Sequence, residues 1–586
     1  MFVVTAKWQE KPQPGSVSQE LAKTFSVSHI LATLVAQRVE PPTRENVASF
    51  LRPTLGGTLP PSLLNGMDRA ADRLAQAVKD RQRVIVHGDY DADGVTASAV
   101  LIRACRAVGH SITCHLPSRF DDGYGISSDF VRKAVEEDVD LVVTVDCGTS
   151  EHENIRLLSE NGIDVIVTDH HEPGDRGLPS QALAVINPKS RDSTYPFRDL
   201  TGVGVAFKLA WALYEKLAGS PRVGDLQRTT LLSLVPLVAI GTIADVAPLV
   251  GENRALVAEG LKRMRDSSPG ISALLDNCRG QSEDLTTRMI AFHLSPRLNA
   301  AGRMGKANLA LDLLVEDDPA QARQLALSLD HLNSERQTLC QVILSEASRE
   351  AEVNHSFEHD PAVLVAREGW HEGVIGIVAG RLSEIYNRPA AVVSFPPGQR
   401  HGRGSARSAA GINLYRVMEN SCQHLLSFGG HELAAGFTLE RDSLEAFREA
   451  FLRECASQVD GQGFVPVLYY DMEIPFAEIN HRLVSELDKL RPLGQGNPES
   501  RFLVRGLRVV GGHQLLRGNK RFFFNVSQDG IAYRAVVNNN QSLWSTLESV
   551  GRGKVDIVCT PVLTSSNFYH SPRLELQVDD LRPAAV

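Results

Sequence analysis

The residues with the clearest capacity for chemistry lie within residues 84–94, in the stretch VIVHGDYDADG. A short apolar run there ends in His87, and aspartates follow at every second position as Asp89, Asp91 and Asp93. Neighbouring carboxylates repel one another, and a divalent cation is the simplest group that neutralises them. We therefore expect a metal site whose remaining ligands come from other parts of the chain.

The elements that must position these side chains follow from the same pattern. An apolar run bounded by a polar turn is typical of a buried parallel strand. Two further runs end in the same way, residues 140–145 before Asp146 and residues 165–168 before the triplet 169–171. Helical segments separate the runs, which predicts a parallel sheet with helices on both faces. Such sheets bind ligands at the carboxyl ends of their strands, so the three polar strand ends are expected to meet.

The proposed metal ligands are carboxylates and imidazoles from four places in the chain. Asp245 belongs to them because it interrupts a strongly apolar run, where an aspartate without a partner would be costly. Oxygen and imidazole ligands without thiolates favour Mn²⁺, with Mg²⁺ as the alternative. Six ligands suffice for two ions, which would clamp a phosphoryl group and activate water. The set is His87, Asp91, Asp93, Asp146, His170 and Asp245.

Two acidic residues beside this set have a second interpretation. Asp89 is as compatible with a helix or loop cap as with a metal ligand, so it stays outside the set. Asp169 is compatible with a carboxylate that orients a neighbouring imidazole as well as with a direct ligand.

Length and composition limit the class of protein. A chain of 586 residues predicts about three or four domains. A net charge of −9 excludes a generally basic coat for nucleic acid, so polyanions must bind at local basic surfaces. Eight scattered cysteines without a CxxC pair predict neither a disulfide framework nor a zinc ribbon. Residues 1–15 lack the apolar region of a secretory signal, and residues 231–250 contain Asp245 and two prolines. We expect a buried helix there and a cytoplasmic protein.

The predicted architecture is a multidomain α/β protein. A parallel-sheet domain is joined by a long helix, from about residue 319 to 352, to a smaller α/β domain. Short alternating strands near the C-terminus predict a small β-barrel of the oligonucleotide-binding (OB) type. The expected segments are a leading piece 1–70, the parallel-sheet domain 71–265, a helical connector 266–355, the smaller α/β domain 356–458 and the barrel domain 459–586.

Two basic stretches are candidates for contact with nucleic acid. Residues 385–418 contain five arginines and no acidic residue, and GRGSARS within them is typical of a phosphate-binding loop. Residues 501–528 also lack Asp and Glu, and basic residues there lead into three phenylalanines, 522–524. Basic residues beside aromatic rings are typical of single-strand binding, although at least one of these rings must belong to the barrel core.

The motifs HGDYDADG, VDCG, TDHH and ADVAP resemble the four motifs of the DHH phosphoesterase superfamily. RLNAAGRMG (297–305) and the segment from GRGSARS to FGGHELAAG (402–436) resemble the RecJ family of single-stranded-DNA exonucleases and its DHH-associated domain. The resemblance covers residues 70–455 closely and the C-terminal barrel more loosely.

The resemblance implies how the ligands divide between two ions. Asp146 would bridge the ions, and His171 would face the scissile phosphate as an electrostatic or acid–base participant, which makes both residues catalytic. The implied division is His87, Asp91 and Asp146 on one ion and Asp93, Asp146, His170 and Asp245 on the other.

Contacts with the substrate are expected from several places. Arg297, Asn299 and Arg303 lie in a predicted loop, where phosphate contact is expected and a helix-capping turn is the alternative. His431 is either a structural turn residue or a nucleotide contact. The expected substrate-binding residues are Arg119, Tyr124, Arg297, Asn299, Arg303, Gly404, Ser405, Arg407, Ser408, Gly430 and His431, and the barrel adds Arg505, Arg517, Lys520 and Arg521.

These features together predict a Mn²⁺- or Mg²⁺-dependent exonuclease that releases 5′-mononucleotides from single-stranded DNA. The 5′→3′ direction and a role in DNA repair and recombination are implied by the resemblance alone. One alternative is a phosphodiesterase for short oligonucleotides, cyclic dinucleotides or pyrophosphate, which would not need the barrel. Another is a non-catalytic single-strand-binding scaffold at the replication fork, against which the complete ligand set argues. We expect a monomer with a DNA helicase and a single-strand-binding protein as partners, and no membrane.

Overall fold

The structure is a computed structural model that describes residues 6–118, 125–278, 285–356, 359–409, 411–459, 465–515, 521–538, 542–564 and 572–584. The chain folds into two compact units. The first contains residues 1–58, 246–259 and 467–586, and the second contains residues 59–245 and 260–466. The five segments expected from the sequence stay a prediction, because the units follow packing in space and not order along the chain.

The first unit begins with a short strand and three helices. Ser28 and Thr43 precede two of these helices, and each side chain accepts a hydrogen bond from a backbone N–H three residues further on. Such capping is how these residue types start helices. The elements are β1 (Lys7–Glu10), α1 (Ser16–Phe25), α2 (His29–Ala36) and α3 (Arg44–Leu51).

The second unit begins with the predicted α/β domain. Its elements are α4 (Met67–Asp80), β2 (Val84–Gly88), α5 (Ala92–Ala107), β3 (Thr113–His115), α6 (Ser128–Glu136), β4 (Leu141–Val145), α7 (His152–Glu160), β5 (Asp164–Thr168), β6 (Ala184–Ile186), α8 (Gly202–Ala218) and α9 (Asp225–Ala244). The five strands are parallel in the order β3-β2-β4-β5-β6. Gly88, Val145 and Thr168 lie in register at the ends of three neighbouring strands. The polar residues that follow them therefore meet at one edge, as predicted.

Helix α9 covers the apolar stretch that the sequence analysis expects to be buried. Judged by length and composition alone, it is the one helix in the described part of the chain that could cross a membrane. Its residues from Leu231 to Ile243 are mostly buried, and the helix packs against α5 and α8. The expectation of a buried helix followed by a loop is confirmed.

A helical region connects the two α/β domains. Helix α10 (Gly251–Arg263) comes before it and belongs mostly to the first unit. The elements of the connecting region are α11 (Pro269–Cys278), α12 (Thr287–Met289), a π-helix (Ile290–Leu294), α13 (Ser295–Arg303), α14 (Ala307–Val315) and α15 (Pro319–Asn354). The 36 residues of α15 extend over about 54 Å. Near its C-terminal end, Ile343 and Ala347 pack against Val363 and Val374 of the next domain. The predicted long helix is therefore present and joins the two domains.

The second α/β domain of this unit contains a mixed five-stranded sheet. Its elements are β7 (Val363–Glu368), α16 (Glu372–Tyr386), β8 (Ala390–Phe395), β9 (His401–Arg407), α17 (Leu414–Asn420), β10 (Ser427–His431), β11 (Ala434–Glu440) and α18 (Leu444–Ser457). The strand order is β10-β11-β9-β8-β7, and only β7 and β8 are parallel to each other.

The C-terminal part of the first unit is the predicted barrel. Its elements are β12 (Val467–Tyr470), β13 (Met472–Glu473), α19 (His481–Leu487), β14 (Phe502–Leu515), β15 (Arg521–Gln528), β16 (Ile531–Asn538), α20 (Ser542–Val550), β17 (Lys554–Thr564) and β18 (Arg573–Pro583). Pairing runs from β14 through β15, β16, β18 and β17 and returns to β14, which closes five strands into a barrel. The predicted fold class is confirmed.

Residues 6–58 pack against this barrel within the first unit. Strand β1 pairs with β12, and the buried residues Leu31 and Leu34 share one apolar core with Phe502 and Phe524. Arg254 is completely buried in the same unit. The N-terminal residues, to which the sequence assigned no role, thus complete the core of the barrel unit.

Candidate metal centre

The last of the three aspartates lies at the start of a helix. Helix α5 starts at Ala92, and Asp91 is its N-cap. Oδ1 of Asp91 accepts the N–H groups of Asp93, at 2.9 Å, and Gly94, at 3.1 Å. The helix cap is therefore Asp91, whereas the carboxylate of Asp89 accepts the adjacent N–H of Tyr90 within the loop, at 2.8 Å.

Predicted ligands from four elements converge beyond this loop. Nε2 of His170 lies 3.0 Å from Oδ1 of Asp146, 3.8 Å from Oδ2 of Asp93 and 3.9 Å from Oδ2 of Asp245. A second set of potential ligand atoms, on Asp89, Asp91 and Asp146, lies within 4.8 Å of one another. Asp146 belongs to both sets, as a residue between two ions would. Asp89, which the sequence left outside the ligand set, joins the second one.

The backbone of Asp146 is turned into an unusual conformation. Its φ of 61° lies in the left-handed region, which residues other than glycine seldom adopt. Strained backbone of this kind clusters at functional sites, where the surrounding structure holds it in place. The conformation occurs directly after β4, where the chain turns away from the sheet and the carboxylate faces the other ligands.

His87 is completely buried near the end of β2, and it is not among the residues of the described chain whose potential ligand atoms cluster. Its ring lies edge-on to Phe130, with ring centres 4.5 Å apart, and its Nδ1 is 3.7 Å from Sγ of Cys147. Burial, together with the nearby His115, lowers the pKa of His87 to about 3, so the ring is neutral. Nε2 has no hydrogen-bond partner in the described part of the chain. A buried neutral imidazole with a free nitrogen fits a metal ligand.

The carboxylates also fit a cation for electrostatic reasons. Burial raises the pKa of Asp93 well above its ordinary value, and the charges of Asp245 and Asp91 raise it further. The pKa of Asp146 is raised in the same way, by burial and then by Asp93. Burial and Asp91 raise the pKa of Asp245 to about 7. Hard divalent cations bind such oxygen clusters and relieve the repulsion, so the donor set fits Mn²⁺ or Mg²⁺.

The start of helix α8 holds two of these carboxylates in place. The backbone N–H groups of Gly202 and Val203 donate to the two oxygens of Asp93, at 2.7 and 3.0 Å. A Cβ atom on Gly202 would lie 2.5 Å from Cβ of Asp146. The sequence analysis missed this segment, TGVG at 201–204. The sequence feature that could have revealed it is the pair Gly202 and Gly204 directly after Thr201, a residue type that caps helices.

We expect Gly202→Ala to displace the Asp146 side chain, because the new methyl group would overlap it. Stabilisation of the protein by Mn²⁺, measured as the rise in melting temperature, should fall to less than half of the wild-type value. Gly204→Ala is the matched control on the same helical turn, because its Cβ would meet Leu200 at 3.2 Å and no site carboxylate. Equal Mn²⁺ stabilisation of the two variants would contradict this role of Gly202.

Asp169 orients His171, which favours the second interpretation of this aspartate. Oδ1 of Asp169 lies 2.8 Å from Nδ1 of His171, and Oδ2 accepts the N–H of Thr149 at 2.9 Å. Burial raises the pKa of Asp169, but the hydrogen bond and charge of His171 outweigh it and lower the pKa below its usual range. Burial lowers the pKa of His171, but Asp169 raises it to about 9. The pair thus keeps His171 protonated and fixed in direction.

Asn187 is a second residue that the sequence analysis missed. It follows β6, and its Nδ2 donates to the carbonyl of His171, at 2.8 Å, and to Oγ1 of Thr149, at 2.9 Å. It therefore joins the segment around His171, after β5, to the segment around Thr149, after β4. The sequence feature that could have revealed it is its position directly after a strand of the parallel sheet, the same position that the polar residues after β2, β4 and β5 occupy.

RLNAAGRMG is a helix and not the predicted loop. Residues 295–303 form α13, and Oδ1 of Asn299 accepts the N–H of Ala92 at 2.9 Å, between two of the aspartates. Arg297 pairs with Asp330 on α15 at 2.8 Å. Nη1 of Arg303 donates to the carbonyl of Gly373 at 3.2 Å, at the start of α16. These residues therefore brace the aspartate loop and the junction between the α/β domains, a role that neither earlier interpretation included.

GRGSARS is likewise not a loop, because its residues 402–407 belong to strand β9. Cβ atoms on Gly402 and Gly404 would collide with the rings of Phe395 and Phe437, so these glycines make room for core side chains. Alternate residues point the other way, and Nη1 of Arg407 donates to Oγ of Ser405 at 3.0 Å. The predicted phosphate-binding glycine at position 404 is therefore a packing residue.

Ser405 and Arg407 lie over glycines of helix α16. A Cβ atom on Gly376 would be 3.0 Å from Oγ of Ser405 and 3.1 Å from Nη2 of Arg407. The helix carries Gly373, Gly376 and Gly380 on one side, and Gly373 contacts Arg303. The two polar side chains are thus connected, through α16 and Arg303, to the loop that holds the aspartates.

The remaining candidates of this domain lie near the turn between β10 and β11. His431 ends β10, is exposed and pairs with Ala434, while Gly430 has a φ of 142° that favours glycine. Ser408 directs its hydroxyl to the carbonyl of Ile412. His431 is therefore accessible to a ligand, whereas Gly430 and Ser408 have structural contacts.

The candidate nucleic-acid-binding residues of the barrel have different surroundings in the structure. Arg505 is engaged by Glu473, at 2.8 Å, and by Asp556, at 3.3 Å, whereas Arg521 is exposed at the start of β15. Phe522 and Phe524 are buried core residues, and Phe523 faces outward beneath the guanidinium of Arg534, 3.8 Å from the ring centre. Arg119, Tyr124, Arg517 and Lys520 lie outside the described residues.

Three family models match successive parts of this chain. The DHH family, N-terminal domain, matches residues 83–242, the DHHA1 domain matches residues 360–457, and the RecJ OB domain matches residues 470–580. Each match covers one of the domains described above, and the first includes the strand ends that carry the metal candidates.

Relatives match over most of the chain. The single-stranded-DNA-specific exonuclease RecJ of Salmonella typhimurium is 35% identical over 92% of this chain and 93% of its own length. The RecJ of Bacillus subtilis is 34% identical over 86% of this chain, which spans 62% of that relative. The crystal structure of Thermus thermophilus RecJ with Mn²⁺ matches 99% of this chain and 80% of its own, with 32% identity and a TM-score of 0.82. The chain therefore belongs to the RecJ family of DHH proteins.

Proposed function

We propose that this protein is a metal-dependent exonuclease that degrades single-stranded DNA from 5′ to 3′ and releases 5′-mononucleotides, in DNA repair and recombination. The observation that carries the proposal is the convergence of Asp93, Asp146, His170 and Asp245 in a chain of the RecJ family. Relatives of this chain are named single-stranded-DNA-specific exonucleases, which supports the substrate. The direction of degradation rests on family membership.

Two divalent cations, Mn²⁺ or Mg²⁺, would supply charge neutralisation at the phosphodiester and an activated water. Solved structures of Thermus thermophilus RecJ contain Mn²⁺ or Mg²⁺, which supports both metals. The expected ligands are His87, Asp91, Asp93, Asp146, His170 and Asp245, with Asp146 between the ions.

His171 and the backbone at α8 have separate tasks in this proposal. Held as a cation by Asp169, His171 donates a hydrogen bond to a phosphate oxygen and stabilises the charge that develops on it. The N–H groups of Gly202 and Val203 keep Asp93 in one orientation, so no rearrangement of this ligand accompanies the reaction.

The strand would be bound by polar side chains of both α/β domains. Arg303, Ser405, Arg407 and His431 are the candidates in the described chain for the terminal nucleotide, with Arg119 and Tyr124 proposed from the sequence. Arginine and hydroxyl donors suit phosphate oxygens. In the barrel, Arg521 and the outward ring of Phe523 support sequence-tolerant contact with a longer strand.

We propose that the protein acts together with other proteins of DNA metabolism. A nuclease restricted to single strands needs an activity that separates duplex DNA, so a DNA helicase is the expected partner. A single-strand-binding protein would cover the same substrate. We propose that the protein acts in the cytoplasm as a monomer.

The test is the release of labelled nucleotide from single strands labelled at the 5′ or the 3′ end, with Mn²⁺ or with EDTA. Early release of the 5′ label as a mononucleotide, in Mn²⁺ only, is the expected result. Strands of about 5 and about 50 nucleotides are compared, because binding beyond the site favours the longer one. A strong preference for the short strand would favour the short-oligonucleotide phosphodiesterase instead, and binding without release would favour the non-catalytic scaffold.

We expect metal binding to weaken as the pH falls. Asp245 has a pKa of about 7 without metal, and the raised pKa values of Asp93 and Asp146 act in the same direction. These protons stabilise the folded metal-free protein at low pH, and their contribution is lost as the pH rises through 7. Metal must displace them, so apparent Mn²⁺ affinity should be at least about tenfold weaker at pH 6 than at pH 8.

Isothermal titration with Mn²⁺ at the two pH values measures this difference. Two buffers of different ionisation enthalpy report the number of protons released, which should be larger at the lower pH. Equal affinity and no proton release at pH 6 would contradict the assignment of these carboxylates as ligands.

A further inference from the structure

One face of the helical segment 287–303 is accessible and leads toward the metal centre. Several side chains of this segment are not buried, and some of them recur at spacings of three or four residues. These are Arg288, Phe292, Pro296, Asn299 and Arg303. This spacing places them on one side of a helix.

The two ends of this face have different surroundings. At its C-terminal end, Asn299 accepts the N–H of Ala92 in the aspartate loop, and Arg303 contacts Gly373. At its N-terminal end, the ring of Phe292 is 68% exposed. Seven residues separate Phe292 from Asn299, which corresponds to about 10 Å along the helix. The exposed ring is therefore close to the metal centre without belonging to it.

The charge around Phe292 suits an anionic strand. Residues 285–311 contain no Asp or Glu, whereas Arg288, Arg297, Arg303 and Lys306 are basic. The guanidinium carbon of Arg288 lies 5.4 Å from the centre of the Phe292 ring. An arginine in this position leaves one face of the ring open and can reach a phosphate.

The helix is also irregular at this point. Residues 290–294 form a single π-helical turn between the α-helical segments. Such turns cost backbone regularity and occur frequently at functional sites. The turn places both Arg288 and Phe292 on the accessible side, above the buried residues Ile290 and Leu294.

We propose that Arg288 and Phe292 form a stacking platform for one nucleobase of the single strand, a few nucleotides away from the scissile phosphodiester. The ring stacks on the base, and the guanidinium contacts the adjoining phosphate. This inference rests on the proposed function, and it adds a contact that lengthens the binding site beyond the terminal nucleotide. Stacking on an aromatic ring tolerates any base, as a nuclease without sequence preference requires.

The first test is binding of fluorescent oligothymidylate of roughly 20 nucleotides in EDTA, measured by anisotropy. Phe292→Ala should weaken binding about tenfold, within the range measured for loss of one base–aromatic stack. Phe292→Trp should restore binding. The additional tryptophan fluorescence of this variant, relative to the wild type, should be quenched when the strand binds. Leu226→Ala is the matched control, since Leu226 is 66% exposed on α9.

The second test uses catalysis in Mn²⁺ on two substrates. Phe292→Ala should raise KM for the long strand about tenfold and change kcat/KM for a thymidine dinucleotide less than twofold, because the dinucleotide does not reach the platform. Unchanged binding of the long strand, or an equal loss on both substrates, would overturn the inference. If the wild-type protein hydrolyses neither substrate, the proposed function fails, while the binding experiment in EDTA still decides the platform.

Discussion

An Asp146→Asn variant is expected to hydrolyse single-stranded DNA at least about a thousandfold more slowly than the wild type. Among the clusters found in the described residues, Asp146 is the carboxylate that belongs to both groups of ligand atoms, with Oδ1 3.0 Å from Nε2 of His170. An amide in its place cannot carry the negative charge that holds two cations together. Asparagine is the suitable replacement because it tolerates the φ of 61° at this position, which alanine does not.

The same variant should be more stable than the wild type when no metal is present. At pH 8 the wild-type protein keeps a buried carboxylate beside Asp93 and Asp91, and burial and these charges raise its pKa. The amide removes this repulsion, so the melting temperature in EDTA should rise, whereas the Mn²⁺-induced increase should disappear.

Asp175→Asn is the control, because the Asp175 side chain is fully exposed and should affect neither quantity. Nuclease assays and thermal melts in EDTA and in Mn²⁺ measure both effects. An Asp146→Asn variant that retains Mn²⁺ stabilisation and activity would exclude Asp146 as a bridging ligand.

The arrangement of the strand ends could be predicted from the sequence because the pattern is local. Apolar runs such as VIV and LVVTV define buried parallel strands, and parallel strands bring the following residues to one edge. Asp146 and His170 were found in this way. Asp245 was found by a related argument, because a carboxylate in an apolar run needs a partner.

The errors of the sequence analysis share a physical cause. Glycines of GRGSARS and RLNAAGRMG suggested loops, but two of them, Gly404 and Gly302, make room for groups from distant parts of the chain. A Cβ atom on Gly404 would meet the Phe437 ring, and one on Gly302 would meet the carbonyl of Tyr90. The sequence alone does not reveal which distant atom approaches a glycine, so close packing and loop flexibility look alike.

The supporting residues of the site were missed for a similar reason. Gly202 and Val203 act through backbone N–H groups, which every residue except proline possesses. Their residue types therefore carry little information about the task. Asn187 resembles many polar residues at strand ends, and only the two hydrogen bonds that its Nδ2 donates identify it as the support of the His171 loop.

Local sequence patterns also could not show which segments of the chain make up the first unit. Trp8 donates to Asp580 at 2.7 Å, and Arg38 pairs with the buried Asp471 at 3.4 Å. These contacts join residues more than 400 positions apart. Hydrophobic periodicity and composition describe residues that are neighbours along the chain. They reveal the helices near the N-terminus, but they do not show that these helices pack against the barrel.

An Arg254→Met variant is expected to lose about 3–5 kcal/mol of folding free energy. The guanidinium donates to the carbonyls of Phe50 and Arg491, each at 2.8 Å, and to those of Leu490 and Pro492, each at 3.0 Å. Its carbon lies 3.9 Å from the centre of the Phe50 ring. Burial lowers the pKa of Arg254 to about 10, which keeps the charge at neutral pH, so the side chain joins three chain segments as a buried cation.

Methionine fills a similar volume but donates no hydrogen bonds, so several buried carbonyls would lose their donor. We expect the first thermal transition to move down by roughly 10 °C. The melting temperature of Arg254→Lys should lie between those of the wild type and Arg254→Met, because an ammonium keeps the charge but cannot reproduce the planar set of donors. Arg552→Met is the control, since Arg552 is exposed in the same unit. Calorimetry that gives Arg254→Met and Arg552→Met equal melting temperatures would contradict this role of the buried arginine.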